Sequence, residues 1–103
     1  MSLLNNFISI DIQANQTVSG SYEEVTGDIV RIWEVVQQQA TIVLYYADDQ
    51  AGTNEDTETY TVYPNNSTAI NSFVKKQYVR ITVHNDYTTE QTVTVRTKFD
   101  SRP

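Results

Sequence analysis

Cysteine is absent from the sequence, and glycine, proline and histidine are scarce, at three, two and one residues. Without cysteine the chain has no disulfide framework, no thiol nucleophile and no zinc site built on thiolates. So few glycines and prolines exclude collagen-like and low-complexity chains. Seven basic residues face thirteen acidic ones, for a formal net charge of −6. Such a surface repels phosphate groups, which argues against nucleic acid and anionic membranes as partners.

Long apolar runs are also missing, since no stretch approaches the roughly 18 residues that a membrane-spanning helix needs. The segment Met1–Asn6 has neither a positively charged region nor a long apolar stretch, so it is not typical of a secretory signal. We therefore expect the protein to be made in a cytoplasm. A chain of 103 residues predicts a single domain, 1–103, whose core is large enough to fold without disulfides or metals.

Apolar and polar residues alternate with a period of two along most of the chain, which predicts half-buried strands with one wet face. The residues that share a face are Ile8, Ile10, Ile12 and Ala14; Ile42, Leu44 and Tyr46; Tyr60 and Val62; Val79, Ile81 and Val83; and Val93, Val95 and Phe99. Residues 17–25, broken by Gly20, read as an edge or bulged strand. Residues 69–74 read as a short strand. We expect the core to contain Ile10, Ile32, Ile42, Leu44, Val62, Val79, Ile81, Val83 and Val95.

The segment 28–39 is ambiguous between helix and strand. Ile29, Ile32, Trp33 and Val36 fit helical spacing, and Asp28 is a suitable helix cap. The same segment also alternates, with Val30, Ile32 and Val36 on one side and Ile29, Trp33 and Val35 on the other. We favour a strand, because the β-branched content is high and a lone helix among so many strands would be unusual.

Turn-forming residues separate the predicted strands at 48–52, 64–67 and 85–88. Seven to eight short strands at this spacing predict an all-β fold, a single antiparallel β-sandwich. Jelly-roll and immunoglobulin-like topologies both remain open. The short N-terminal segment, about 1–6, is expected to form an arm outside the sandwich.

The residue inventory predicts no catalytic site, no metal and no cofactor. His84, the single histidine, falls on the polar face at the end of a strand, without the nucleophile and orienting partner that a general base needs. The acidic stretch Asp48–Glu58 offers oxygen ligands for a hard cation such as calcium, but its spacing is not that of an EF-hand loop. We interpret it as a solvated loop, and the chain as a binding or assembly domain rather than an enzyme.

Trp33 and the seven tyrosines are candidate interface residues, because such side chains supply rigid, amphipathic contact area. The first ten residues also contain more apolar side chains than is usual for a chain terminus. We therefore expect self-association through sheet edges and the N-terminal segment. The residues selected as an interaction surface are Leu3, Leu4, Phe7, Tyr45, Tyr63 and Tyr87.

Six segments also follow one another in a recognisable order: 19–25 (SGSYEEV), 29–33 (IVRIW), 40–46 (ATIVLYY), 59–62 (TYTV), 78–85 (YVRITVHN) and 91–97 (QTVTVRT). The first resembles the tG-x-[WY]-E-D-V opening of small β-sandwich modules in virion proteins of tailed and related phages and of some other large DNA viruses. The last two resemble the [YF]-[VFY]-R-v-x-[YF]-x-N strand and the closing Q-t-x-f-r-l-q-t strand of those modules. The resemblance covers roughly residues 17–97.

This resemblance implies a structural virion protein made in the host cytoplasm: a minor capsid, vertex, fibre-base or decoration subunit. Its implied partners are other virion proteins and copies of itself, as a trimer or pentamer. Because one module nearly fills the chain, we expect a standalone component. The S-x-D-G-x-x-W turn of many relatives is replaced here by Asp48–Glu58, so a ligand site at that turn does not carry over. The alternative is a carbohydrate-binding or adhesin-type module that binds a host glycan through outward tyrosines.

Overall fold

The structure is a computed structural model that describes residues 6–65 and 69–101. These residues form nine strands. They are β1 (Phe7–Ile12), β2 (Thr17–Ser19), β3 (Glu23–Glu24), β4 (Ile29–Val36), β5 (Ala40–Ala47), β6 (Asp56–Val62), β7 (Ile70–Phe73), β8 (Tyr78–Asn85) and β9 (Gln91–Asp100). None of the described residues belongs to a helix that is long and apolar enough to cross a membrane.

The strands form two antiparallel sheets, in the orders β1-β9-β4-β7 and β2-β8-β5-β6, with β3 also paired to β8. The predicted all-β sandwich is therefore confirmed. If β2 and β3 count as two parts of one edge strand, the fold is an eight-stranded jelly roll. Only β5 and β6 are both consecutive and paired, whereas an immunoglobulin sheet pairs several consecutive strands. The order of the strands thus decides between the two predicted topologies.

Side chains that alternate inward from both sheets fill the space between them. Eight of the nine residues expected in the core are buried, and Ile10 is partly buried against the same cluster. The largest fully buried side chain is Tyr46, whose hydroxyl lies 2.6 Å from Ser72 Oγ. Burial raises the pKa of Tyr46 to about 12, so the phenol stays neutral at physiological pH.

The ambiguous segment is a strand, as favoured from the sequence. β4 pairs with β9 along its whole length, from Ile29 to Val36, and with β7 from Ile29 to Ile32. Neighbouring strands therefore satisfy the backbone groups that a helix would have satisfied internally. Val30, Ile32 and Val36 are buried, whereas Trp33 and Val35 are exposed on the other side.

The prediction for the first strand was wrong in its register. A β-bulge interrupts the pairing of β1 with β9 between Phe7 and Ile10, and Ser9 takes a positive φ of 51°. Because an extra residue shifts every preceding side chain to the other face, Phe7 points into the core. Ile8, expected inside, is 47% exposed.

Asn85 lies at the centre of a buried hydrogen-bond network at one end of the sandwich. Its Nδ2 donates to the carbonyl oxygens of Ile12, Gln13 and Thr89 at 2.9, 3.2 and 2.9 Å. Its Oδ1 accepts from the backbone N–H of Tyr87 and from Gln91 Nε2 at 2.7 Å. Asn85 is fully buried. Its single amide thus joins the β1–β2 connection to the β8–β9 connection.

Gln91 extends this network to the β4–β5 connection. Its Oε1 accepts from the backbone N–H of Gln38, and its Nε2 donates to the carbonyl oxygen of Gln39. Three of the connections at this end are therefore held by two buried amides.

Replacing Asn85 with alanine should destabilise the domain strongly, because at least three carbonyls and one side-chain amide lose their partner at a buried site. We expect a loss of roughly 3 kcal/mol or more in the free energy of unfolding, measured by urea titration. Asn71→Ala is the matched control, since Asn71 is exposed and its side chain accepts a surface hydrogen bond from Arg31. A loss below about 0.5 kcal/mol for Asn85→Ala would contradict this role.

The bulge in β1 predicts opposite outcomes for two neighbouring residues. Phe7→Ala should cost about 3 kcal/mol, because it removes a buried aromatic ring. Ile8→Ala should cost less than about 1 kcal/mol, because the side chain is already in water. Leu44→Ala, at a fully buried position, provides a reference of about 2–5 kcal/mol. A larger loss of stability for Ile8→Ala than for Phe7→Ala would contradict the bulge and indicate a regular strand in its place.

Candidate functional site

Six outward side chains of β4 and β9 form a two-strand block on one side of the molecule. They stand in three directly paired rows, Arg31 with Lys98, Trp33 with Arg96 and Val35 with Thr94. Paired residues in a sheet have Cβ atoms about 5 Å apart, so each pair shares one patch of surface. We call this block the Trp33 face.

The Trp33 face holds large apolar side chains in water. Val35 is 67% exposed and Trp33 is 42% exposed. Ile8 on β1 and Phe73 on β7 extend this apolar surface across the same sheet. The sheet therefore carries four of the six large apolar side chains that are exposed among the described residues. The outer side of the other sheet is lined mainly by threonines from β2, β5 and β6. Exposed apolar residues gathered on one face are typical of an interaction surface.

The Trp33 face is also the basic part of an acidic protein. Arg31 donates to Asp100 Oδ2 at 2.9 Å, and Lys98 Nζ lies 3.8 Å from the same atom. Arg96, which stands opposite Trp33, is exposed and has no ion-pair partner among the residues that the structure describes. The backbone N–H of Ser101 and the Arg31 guanidinium lower the pKa of Asp100. Two cations therefore share the carboxylate of Asp100, and Arg96 is available to bind an anion.

Glu34 lies between Trp33 and Val35 in sequence but points to the opposite side, into the core. It is only 5% exposed, and its Oε2 has no hydrogen-bond partner among residues 6–65 and 69–101. Burial raises the pKa of this carboxyl from 4.5 to about 7. β4 therefore carries apolar side chains on its solvent-exposed side and a carboxyl group on its buried side.

The six residues selected from the sequence do not form one site. Leu3 and Leu4 lie outside the described residues, and Phe7 packs in the core, where no partner reaches it. Tyr45 lies at one end of its sheet, whereas Tyr63 and Tyr87 follow the strand ends near Asn85 and are 50% and 40% exposed.

Tyr45 is covered by another side chain of the same protein. The guanidinium carbon of Arg80 lies 3.9 Å from the centre of the Tyr45 ring and 5.4 Å from that of Tyr22. Arg80 also reaches Glu55, which accepts a hydrogen bond from the Tyr22 hydroxyl. Burial and this carboxylate raise the pKa of Tyr22 to about 12. The stack fixes the acidic loop against the sheet and leaves the Tyr45 ring face unavailable to a ligand.

The acidic loop is held by its own residues. Asp49 accepts hydrogen bonds from the side chain and backbone of Thr53 and from the backbone of Ala51, which lowers the pKa of this carboxyl. Lys76 lies 3.8 and 3.7 Å from Asp48 and Asp56. Among the described residues, no group of three acidic or histidine side chains is placed to hold a metal ion.

His84 stands on the open outer side of its sheet. Its Nδ1 lies 2.7 Å from Thr17 Oγ1, and its Nε2 lies 3.8 Å from Asp86. A hydroxyl, an imidazole and a carboxylate are thus neighbours on the outer side of this sheet.

Sequence reasoning selected the tyrosines and missed the partners of Trp33. The alternation in 28–39 already placed Trp33 and Val35 opposite the core side of that strand. The missing information was the pairing of β4 with β9, which brings Arg96 and Lys98 beside them from more than 60 positions away. Nothing local in the sequence signals such a contact.

Comparisons with known proteins give limited information. No protein-family model matches the chain, and no curated protein matches it. Among solved structures, one described as the crystal structure of PirA is similar, with a TM-score of 0.56 and 16% sequence identity. The match covers 87% of this chain and 93% of that chain. At this level of identity the similarity shows a common fold and nothing about ligands.

The buried carboxyl of Glu34 predicts an unusual dependence of stability on pH. Because its pKa is higher in the folded chain than in the unfolded one, its charging opposes folding. The fold should lose stability as the pH rises from about 4.5 to about 7, by on the order of 3 kcal/mol in total. Glu34→Gln should abolish this slope, measured by urea unfolding between pH 4 and 8. Glu24→Gln, at an exposed site, is the control; an unchanged slope in Glu34→Gln would refute the assignment.

Proposed function

We propose that the protein is a non-enzymatic structural subunit of a virion, which binds neighbouring virion proteins through the Trp33 face. The observation that carries this proposal is the grouping of exposed apolar and basic side chains on one sheet of an otherwise acidic and polar molecule. Aromatic and arginine side chains together are typical of protein interface centres. The resemblance of residues 17–97 to virion sandwich modules supplies the class of assembly.

The residues that carry the resemblance support the fold of such a module. Asn85 and Gln91 form the buried amide network, and Arg80 stacks on Tyr45. These side chains are occupied within the domain and leave no free group for a partner. In this proposal, Asn85, Gln91 and Arg80 maintain the sandwich, whereas Trp33 and Arg96, which also lie in resembling segments, contact neighbouring proteins.

The proposed location is the virion, after synthesis in the host cytoplasm. A protein that acts through a flat face and self-assembly needs no cofactor and no catalytic pocket. Trimers or pentamers are the proposed oligomers, as expected from the resemblance. Leu3 and Leu4 remain candidate contacts of an N-terminal arm.

A carbohydrate-binding module is the second candidate, and one observation favours it. Trp33 stands directly opposite the free Arg96, and an aromatic ring beside a cation suits an acidic sugar. The earlier candidate Tyr45 is covered by Arg80, and of the other two candidate tyrosines Tyr63 is more exposed than Tyr87, so it serves for comparison. A glycan-array signal that is lost in Trp33→Ala but kept in Tyr63→Ala would support this candidate.

Trp33→Ala with Val35→Ala should prevent incorporation into particles while leaving the domain folded, because both side chains lie in water. Incorporation is measured by quantitative mass spectrometry of purified particles, and folding by thermal unfolding. The control is Thr59→Ala with Thr61→Ala on the outer side of the other sheet, which should incorporate normally. Absence of the wild-type chain from particles, or normal copy number of the Trp33 variant, would overturn the proposal.

A further inference from the structure

The charges of the chain are divided unevenly between two separate surfaces. Arg31, Arg96, Lys98 and Asp100 give the region of the Trp33 face a charge of +2. Among the other residues that the structure describes, three are basic and twelve are acidic, for a charge of −9. The molecule thus has a small basic, apolar face on a strongly acidic background.

Much of the acidic charge is gathered where the β5–β6 loop meets the end of β3. We call this region the acidic end; its members are Glu24, Asp48, Asp49, Glu55 and Asp56. Their cationic neighbours are Lys76 and Arg80, so the five carboxylates keep an excess of three negative charges. Asp49 accepts hydrogen bonds from neutral donors, which stabilise its ionised form without cancelling its negative charge. The acidic end belongs to the sheet opposite to the Trp33 face.

Contact of the Trp33 face with itself is electrostatically unfavourable. A two-fold axis brings the same patch of two subunits together. Six cations of the two faces would then meet in one contact, together with the two copies of Asp100 that they surround. Like charges that face each other across an interface cost several kcal/mol. The apolar anchors of the face therefore need a partner of opposite charge.

We infer that the partner of the Trp33 face is the acidic end of a second copy of this chain, so that copies associate head to tail. This inference rests on the proposed assembly role and specifies its contact. Arg96 and Lys98 would face Asp48, Asp56 or Glu24 of the neighbour, while Trp33 and Val35 supply the apolar centre. Because the two surfaces differ, each copy has one free surface of each kind. Such contacts close into rings, including three- and five-fold ones, or continue as a filament, and they exclude a two-fold dimer.

The experiment uses two complementary variants of the full chain in analytical ultracentrifugation. Arg96→Glu reverses charge on the face, and Glu24→Lys with Asp56→Lys reverses charge at the acidic end; all three side chains are exposed. Each variant alone should self-associate at least about tenfold more weakly than wild type. Their equimolar mixture should associate more strongly than either variant alone, because it joins an intact face to an intact acidic end and also brings the introduced glutamate opposite the introduced lysines.

Controls separate this contact from general effects of charge. Thr59→Glu with Thr61→Glu changes the net charge by the same −2 as Arg96→Glu, but on the other sheet, and should associate as wild type does. Raising salt from 0.1 to 1 M should weaken wild-type association, since the screening length falls from about 10 to about 3 Å. Thermal unfolding checks that each variant is folded.

Two outcomes would overturn the inference. One is a wild-type chain that stays monomeric at high concentration and low salt. The other is an acidic-end variant that self-associates as wild type does, which is the result expected if the acidic end is not part of the contact. Either result leaves the proposed virion role open, because particle incorporation is measured separately. If the chain is absent from particles but still assembles head to tail, the proposed virion role is refuted. The contact between the Trp33 face and the acidic end then stands.

Discussion

The hydrogen bond between Asn85 and Gln91 is the interaction on which the rest of the sandwich depends. Every chain connection except that between β5 and β6 leads to a strand that is not the paired neighbour of the one before it. In such a fold, the loops rather than local hairpins decide which strands lie side by side. Two buried amides hold three of those loops at one end. Because buried amides lose much free energy when a partner is missing, they specify one arrangement of the loops and oppose others.

The opposite end of the molecule is fixed by a different kind of contact. There, Arg80 stacks between two tyrosines and reaches Glu55 in the β5–β6 loop. Gly52, with a φ of +84°, allows that loop to approach the Tyr22 ring. One end thus depends on neutral amides and the other on a stacked cation. With both ends fixed by side chains that face inward or pack on each other, the outer faces of the sheets can change without loss of the fold.

β4 departs from the ordinary pattern of a strand on both of its sides. Its outward side carries Trp33 and Val35, and its inward side carries Glu34, one oxygen of which has no partner in the described part of the chain. Stability alone would favour the reverse, with a polar residue in water and an apolar one between Ile32 and Val36. Places where a sequence breaks such rules are often functional. The departure on the outer side is the one that the proposed interface uses.

The sequence by itself determined the strands, because alternation with a period of two reports which side of a strand is buried. It predicted the course of β4, β5, β8 and β9 and eight of the nine residues chosen for the core. It failed at Phe7 and Ile8, since the bulge at Ser9 depends on how β1 meets β9 and leaves no mark in the alternation. Only the tertiary structure decided the strand order, the covering of Tyr45 by Arg80 and the pairing of Trp33 with Arg96. All three are contacts between residues far apart in the chain, and local propensity contains no information about them.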